Sequence, residues 1–74
     1  MSTRGGRVIG VNGNLVTVEF DETVSQNEVA YVMQGDVRLV AEVLRVRGDH
    51  ADLQVFESTA GVQAGDQVEF TGEL

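Results

Sequence analysis

The side chains best suited to chemistry gather in V-F-E-S-T-A-G-V-Q-A-G-D-Q-V-E-F-T-G, Val55 to Gly72, where Glu57, Ser58, Thr59 and Asp66 stand among small turn-forming residues. Two chemistries would suit such a stretch. A glycine-rich loop can wrap a phosphate in backbone N–H groups, and a hydroxyl beside a base can act as a nucleophile. The first fails on composition. A phosphate loop of the form G-x-x-x-x-G-K-[ST] needs a lysine to reach the terminal phosphates. Here Gly61 and Gly65 are too closely spaced, and all five basic residues are arginine. A structural reading fits: Gly61 supplies a positive φ, and Gly65-Asp66 turns the chain into a final strand.

Nucleophilic catalysis fares no better. His50 is the single histidine and follows the turn residues Gly48-Asp49. A general base needs an orienting carboxylate and a pocket, and the sequence indicates only a solvated hairpin histidine. Twelve acidic residues are scattered over strand faces and turns, without the D-x-[DN]-x-[DN]-G run of a calcium loop. Arg47-Gly48-Asp49 spells a tripeptide read by integrins. Gly-Asp is also what a two-residue hairpin turn wants, and no charged segment followed by an apolar run opens the chain, so secretion is not expected. No catalytic, cofactor-binding or metal-ligating residue is assigned.

What positions these residues must be a small fold. Seventy-four residues without cysteine make one domain that neither disulfides nor a zinc knuckle can staple, so a closed core or a partner must supply stability. The formal charge of −7 repels phosphate backbones and anionic membrane surfaces, which argues against nucleic acid and against direct membrane contact.

Residues 1–6 (M-S-T-R-G-G) read as a flexible tail, with one β-domain over 7–74. Arg7–Val11 is a β-rich run followed by Asn12-Gly13-Asn14, a hairpin signal. Leu15–Phe20 alternates, with Val16, Val18 and Phe20 on one face. Asp21–Glu28 is a polar loop anchored by Val24, and Val29–Met33 is a third strand. Val37–Arg47 contains helix-like spacings, but its valines and bounding turns favour strand, and the adjacent Val43 and Leu44 predict a bulge. Gly48-Asp49 turns into His50–Phe56, and Asp66–Phe70 ends the set. Six strands without a helix or a proline imply a small closed six-stranded antiparallel Greek-key-like β-barrel, because closure removes adhesive edges.

On that frame Arg38, Arg45 and Arg47 fall along the long strand. They either pair with carboxylates such as Glu42 or, together with Glu57, meet a protein partner. Gly13, Gly48, Asp49, Gly61 and Gly65 are read as structural turn residues.

Taken in order, G-R-V-I-G-V-N-G-N-L-V-T-V-E-F, N-E-V-A-Y-V and, most specifically, A-E-V-L-R-V-R-G-D-H-A-D-L-Q-V-F-E-S-T-A-G-V resemble the N-terminal β-barrel domain of the catalytic A (alpha) subunit of bacterial V-type rotary ATPases and ATP synthases. The resemblance spans about Gly6 to Gly72. It implies a six-stranded barrel in a crown that holds alternating A and B subunits together. It also implies a cytoplasmic place in a membrane-associated complex that couples ATP hydrolysis or synthesis to proton or sodium transport. ATP and magnesium would bind in a later domain of the parent, so the fragment itself is expected to be non-enzymatic and free of cofactor. The chain stops at Leu74, where the parent would continue. A stand-alone barrel binding a protein partner is the competing reading. A single-strand nucleic-acid binder would need a basic groove and stacking aromatics, whereas this chain is acidic with one tyrosine and three phenylalanines.

Overall fold

In a computed structural model, which describes residues 5–74, the alternation and the turns resolve into six strands. They are β1 (Gly5–Asn12), β2 (Leu15–Phe20), β3 (Val29–Gln34), β4 (Val37–Arg47), β5 (His50–Val55) and β6 (Gln67–Phe70). They pair antiparallel in the order β1-β2-β5-β4-β3-β6, and β6 closes back onto β1. The β3-β4-β5 meander flanked by β2 and β6 is the Greek-key arrangement. Closure leaves no free edge.

Three connections are two-residue hairpins of one design. Asn12 pairs with Leu15, Gln34 with Val37 and Arg47 with His50. The turn centres are therefore Gly13-Asn14, Gly35-Asp36 and Gly48-Asp49. Each glycine has a positive φ (63°, 60° and 61°), and the residue after it does not. This is the type II′ pattern, not the type I′ that an Asn12-Gly13 centre would use. Its first central position requires the left-handed backbone that glycine adopts without a Cβ penalty.

Inward-facing residues build the core: Val16, Val18 and Phe20 of β2, Leu39, Ala41 and Val43 of β4, and Ala51, Leu53 and Val55 of β5 are all buried. Phe20 and Phe70 meet edge-to-face at 5.6 Å. The buried alanines Ala30, Ala41 and Ala51 supply the small positions that let a narrow barrel fill without clashes. Val24, outside any strand, reaches the same core, as expected for the loop anchor.

Two bulges bend the wall. The pairing of β4 with β5 shifts between Val43 and Arg45, leaving Leu44 as the extra residue, where the Val43-Leu44 pair predicted it. A second shift lies between Val8 and Gly10 of β1 and leaves Ile9 unpaired; nothing in the sequence reading anticipated it.

Several strand limits need correction; β1 and β3 each run one residue further than expected, to Asn12 and Gln34. Gly5 and Gly6, expected in a frayed tail, are paired strand; the rest of that tail, residues 1–4, lies outside the described residues. A Cβ at Gly5 would meet the Val68 carbonyl, and one at Gly6 the Glu19 carbonyl. These glycines mark close approach of neighbouring strands, which composition alone reads as slack. β5 stops at Val55, and Phe56 turns outward, 58% exposed. β6 begins at Gln67, after Asp66 has closed the preceding turn: its carboxylate accepts the Gln63 N–H at 2.9 Å, and its own N–H reaches the Gln63 carbonyl.

The barrel has two distinct ends. One carries the hairpins at Gly13 and Gly35 and the loop 56–66. The other carries the Gly48 hairpin, the crossover 21–28 and the segment after β6.

Candidate functional site

The loop 56–66 is a strut across the hairpin end. Thr59 donates its hydroxyl to the Gly13 carbonyl at 2.7 Å, and the Gln34 amide donates to the Ala60 carbonyl at 2.9 Å. One loop thus ties two hairpins. Ser58 Oγ accepts the Ala60 N–H at 3.2 Å, so both hydroxyls of the suspected nucleophilic stretch serve turn geometry. Val62 packs against the core. Gly61 and Gly65 hold φ of 94° and 98°, a backbone conformation that favours glycine. A side chain at Gly61 would also collide with the Gln34 amide.

His50 sits beyond the opposite hairpin with Nδ1 2.7 Å from Asp49 Oδ1. An orienting carboxylate is therefore present. The Ser58 and Thr59 hydroxyls do not accompany it, since they belong to the far end of the barrel. Among the described residues no cluster of three or more His, Cys, Asp or Glu side chains could hold a metal ion, and no helix is long and apolar enough to cross a membrane.

The arginines separate into two groups. Arg45 lies directly opposite Asp52, and Thr17 lies opposite Asp52 on its other flank. Arg47 Nη2 reaches Asp52 Oδ1 at 2.9 Å, Arg45 Nη2 reaches Oδ2 at 3.7 Å, and the Thr17 hydroxyl donates to Oδ1 at 3.3 Å. Asp52 faces outward yet is only 8% exposed, while the Arg45 and Arg47 side chains that reach it stay more than half exposed. The carboxylate that answers the stripe is thus Asp52, on the neighbouring strand, and not Glu42 within β4. Two guanidinium groups converge on one carboxylate. Arg38 lies roughly 20 Å up the strand at about 3.3 Å per residue, stacked over the Tyr31 ring at 4.4 Å. A stacked guanidinium at an exposed site contributes about 0.5–1 kcal/mol. Glu57 is exposed on the strut, at the same end as Arg38 and away from Arg45 and Arg47.

Sequence reasoning missed a set of exposed apolar side chains at the hairpin end: Val11, Leu15, Val37 and Phe56. Their signal was present. Val11 and Leu15 flank the N-G-N turn, Val37 follows Gly35-Asp36, and each lies where a strand runs out of core to cover.

The comparison with protein families decides what kind of barrel this is. Residues 8–72 match the ATP synthase alpha/beta family, beta-barrel domain. The chain belongs to that family. Within it, the β-barrel domain described here is 58% identical over its full length to the V-type ATP synthase alpha chain 1 of Treponema pallidum (strain Nichols). It is 57% identical to the V-type ATP synthase alpha chain of Borreliella afzelii (strain PKo), and 51% identical to that of Treponema denticola. In each case it spans 13% of the relative's length. The closed six-stranded architecture of this ATP synthase barrel agrees with the family description.

Proposed function

We propose that this domain is the N-terminal assembly barrel of a V-type ATP synthase alpha chain. In this reading it holds alternating alpha and beta chains in a ring while the remainder of each subunit moves. The observation that carries the reading is the similarity of the whole chain to a 13% portion of V-type alpha chains, combined with a barrel whose every strand is paired on both sides and whose hairpin end is cross-tied by Thr59 and Gln34. A part that must keep its shape while its neighbours swing benefits from such closure, because no edge strand can fray. Contacts around a ring of this kind are heterologous, so two different outer surfaces are used. Arg45 and Arg47 near one end, and Arg38, Glu57 and the apolar rim of Val11, Leu15, Val37 and Phe56 near the other, are the surfaces offered.

Chemistry belongs elsewhere in this reading. ATP and magnesium bind in a later domain of the parent, which couples nucleotide turnover to proton or sodium movement in a membrane-associated, cytoplasm-facing complex. Chemical-shift mapping of the labelled barrel tests this. Adding the corresponding beta-chain barrel should shift outward-facing residues, and adding ATP with magnesium should shift none. Nucleotide-dependent shifts, or no response to the beta-chain barrel, would contradict it.

A further inference from the structure

Glu28 is the most buried charged side chain among the described residues, 2% exposed, and no arginine there pairs with it. Burying a carboxylate is costly unless strong donors satisfy it, so what it joins is informative. Its Oε1 accepts the Ser25 N–H at 3.0 Å and its Oε2 accepts the Gly72 N–H at 2.7 Å. Ser25 belongs to the crossover between β2 and β3. Gly72 belongs to the segment that leaves β6. One carboxylate thus bridges two connections that are far apart in sequence.

Its surroundings reinforce the bridge. The Thr71 hydroxyl and N–H both donate to the Val29 carbonyl, at 2.7 and 3.1 Å, and the Val29 N–H donates to the Glu73 carbonyl at 2.7 Å. On its other side Glu28 is fixed to the wall: its carbonyl accepts the Val43 N–H at 2.9 Å, and the Asn27 N–H donates to the Val43 carbonyl at 2.7 Å. Asn27 adopts a left-handed φ of 74° to make this turn. β6, by contrast, is the shortest strand, with four residues. A pull across the strand at Phe70 would load this short ladder first at its last pair with β3, Ala30 and Phe70.

We propose that Glu28 is a latch coupling the crossover to the segment after β6, so that load on that segment passes to the crossover and β4 instead of peeling β6 from the barrel. The use of this latch as a strain relief rests on the assembly reading, because only a barrel within a longer, moving subunit carries such a load. The coupling itself does not.

Amide hydrogen exchange on the 74-residue chain tests the coupling. Glutamine has one acceptor oxygen, so Glu28→Gln can satisfy only one of the two N–H groups and turns a donor toward the other. In Glu28→Gln the amides of Ser25, Gly72, Val68 and Phe70 should exchange about tenfold faster or more, the loss expected for a hydrogen bond to a charged acceptor. The amides of Val55 and Val62, at the hairpin end, should not change. Thr71→Val keeps the carboxylate and perturbs only one side, and Ser25 should accelerate together with Gly72. Unchanged exchange at Ser25 and Gly72 in Glu28→Gln, a uniform increase over all amides, or a Ser25 amide indifferent to Thr71→Val would each overturn the latch. The test uses neither nucleotide nor partner subunit, so its failure leaves the assembly reading standing, and failure of that reading leaves the coupling standing.

Discussion

Arg45 of β4 stands directly across from Asp52 of β5, and it shares an outer face with Arg38 although the two positions differ in parity. In an unbroken strand the side chains of Arg38 and Arg45 would point to opposite faces. Leu44, the extra residue of the bulge, reverses the alternation once. Leu39, Ala41 and Val43 therefore face the core before it, and Val46 does so after it, while both arginine groups stay outside. The bulge serves the wall's curvature and the display of charge together.

Removing the carboxylate should expose what it holds. Asp52→Ala leaves two neighbouring guanidinium groups and the Thr17 hydroxyl without their acceptor. It should cost about 1–2 kcal/mol, discounted from a buried pair because the arginines are solvated. Urea unfolding measures this. The loss should shrink as salt is raised, since screening weakens the attraction that Asp52 supplies and the repulsion it offsets.

The hairpin glycines are constrained by backbone conformation alone. A Cβ at Gly13, Gly35 or Gly48 would touch nothing within 4 Å, yet each φ is positive. Alanine at any of them should cost about 1–2 kcal/mol. D-alanine, introduced by chemical synthesis, should be neutral or stabilising, because it favours the same φ and restricts the unfolded chain. Equal destabilisation by both enantiomers would show that something other than φ selects glycine.

Gly6 should behave differently. Alanine there meets the Glu19 carbonyl, with Val18 and Phe20 side-chain atoms at 3.0 and 3.1 Å. The expected loss is larger than at a hairpin, about 2–3 kcal/mol, in the range of overpacking. It should be read in the unfolding midpoint with an unchanged denaturant slope.

Much of this fold can be read along the chain because its information is local. L-V-T-V-E-F states its own facing, N-G-N and R-G-D state their turns, and Val43-Leu44 announces the bulge by breaking alternation. What stayed hidden depends on partners distant in sequence. Gly5 and Gly6 look like slack until two neighbouring strands are seen to leave no room for a Cβ. Asp52 rather than Glu42 receives the arginines because the bulge sets the register between β4 and β5. Glu28 looks like one more acidic loop residue, and its significance lies in Gly72. The shift at Ile9 left no local mark, since R-V-I-G-V reads as an ordinary strand. For the stretch from Val55 to Gly72, chemistry could be dismissed from residue types, but its work as a strut required Gly13 and Gln34 to be seen on the far side of the barrel end.

The strut has its own test. Thr59→Val removes the hydroxyl that reaches the Gly13 carbonyl and should cost about 0.5–1.5 kcal/mol. Amide protection should fall first around Gly13 and Ala60, with the crossover end unaffected.

Native mass spectrometry of a full-length V-type alpha chain carrying this barrel, mixed with its beta chain, addresses the central claim most directly. With the barrel present, alternating alpha–beta rings should form. With the barrel deleted, or with Arg45 and Arg47 reversed to glutamate and Phe56 replaced by aspartate, the rings should fall to pairs and single chains, while ATP binding by the alpha chain persists. Intact rings without the barrel, or ATP binding that disappears with it, would contradict the account.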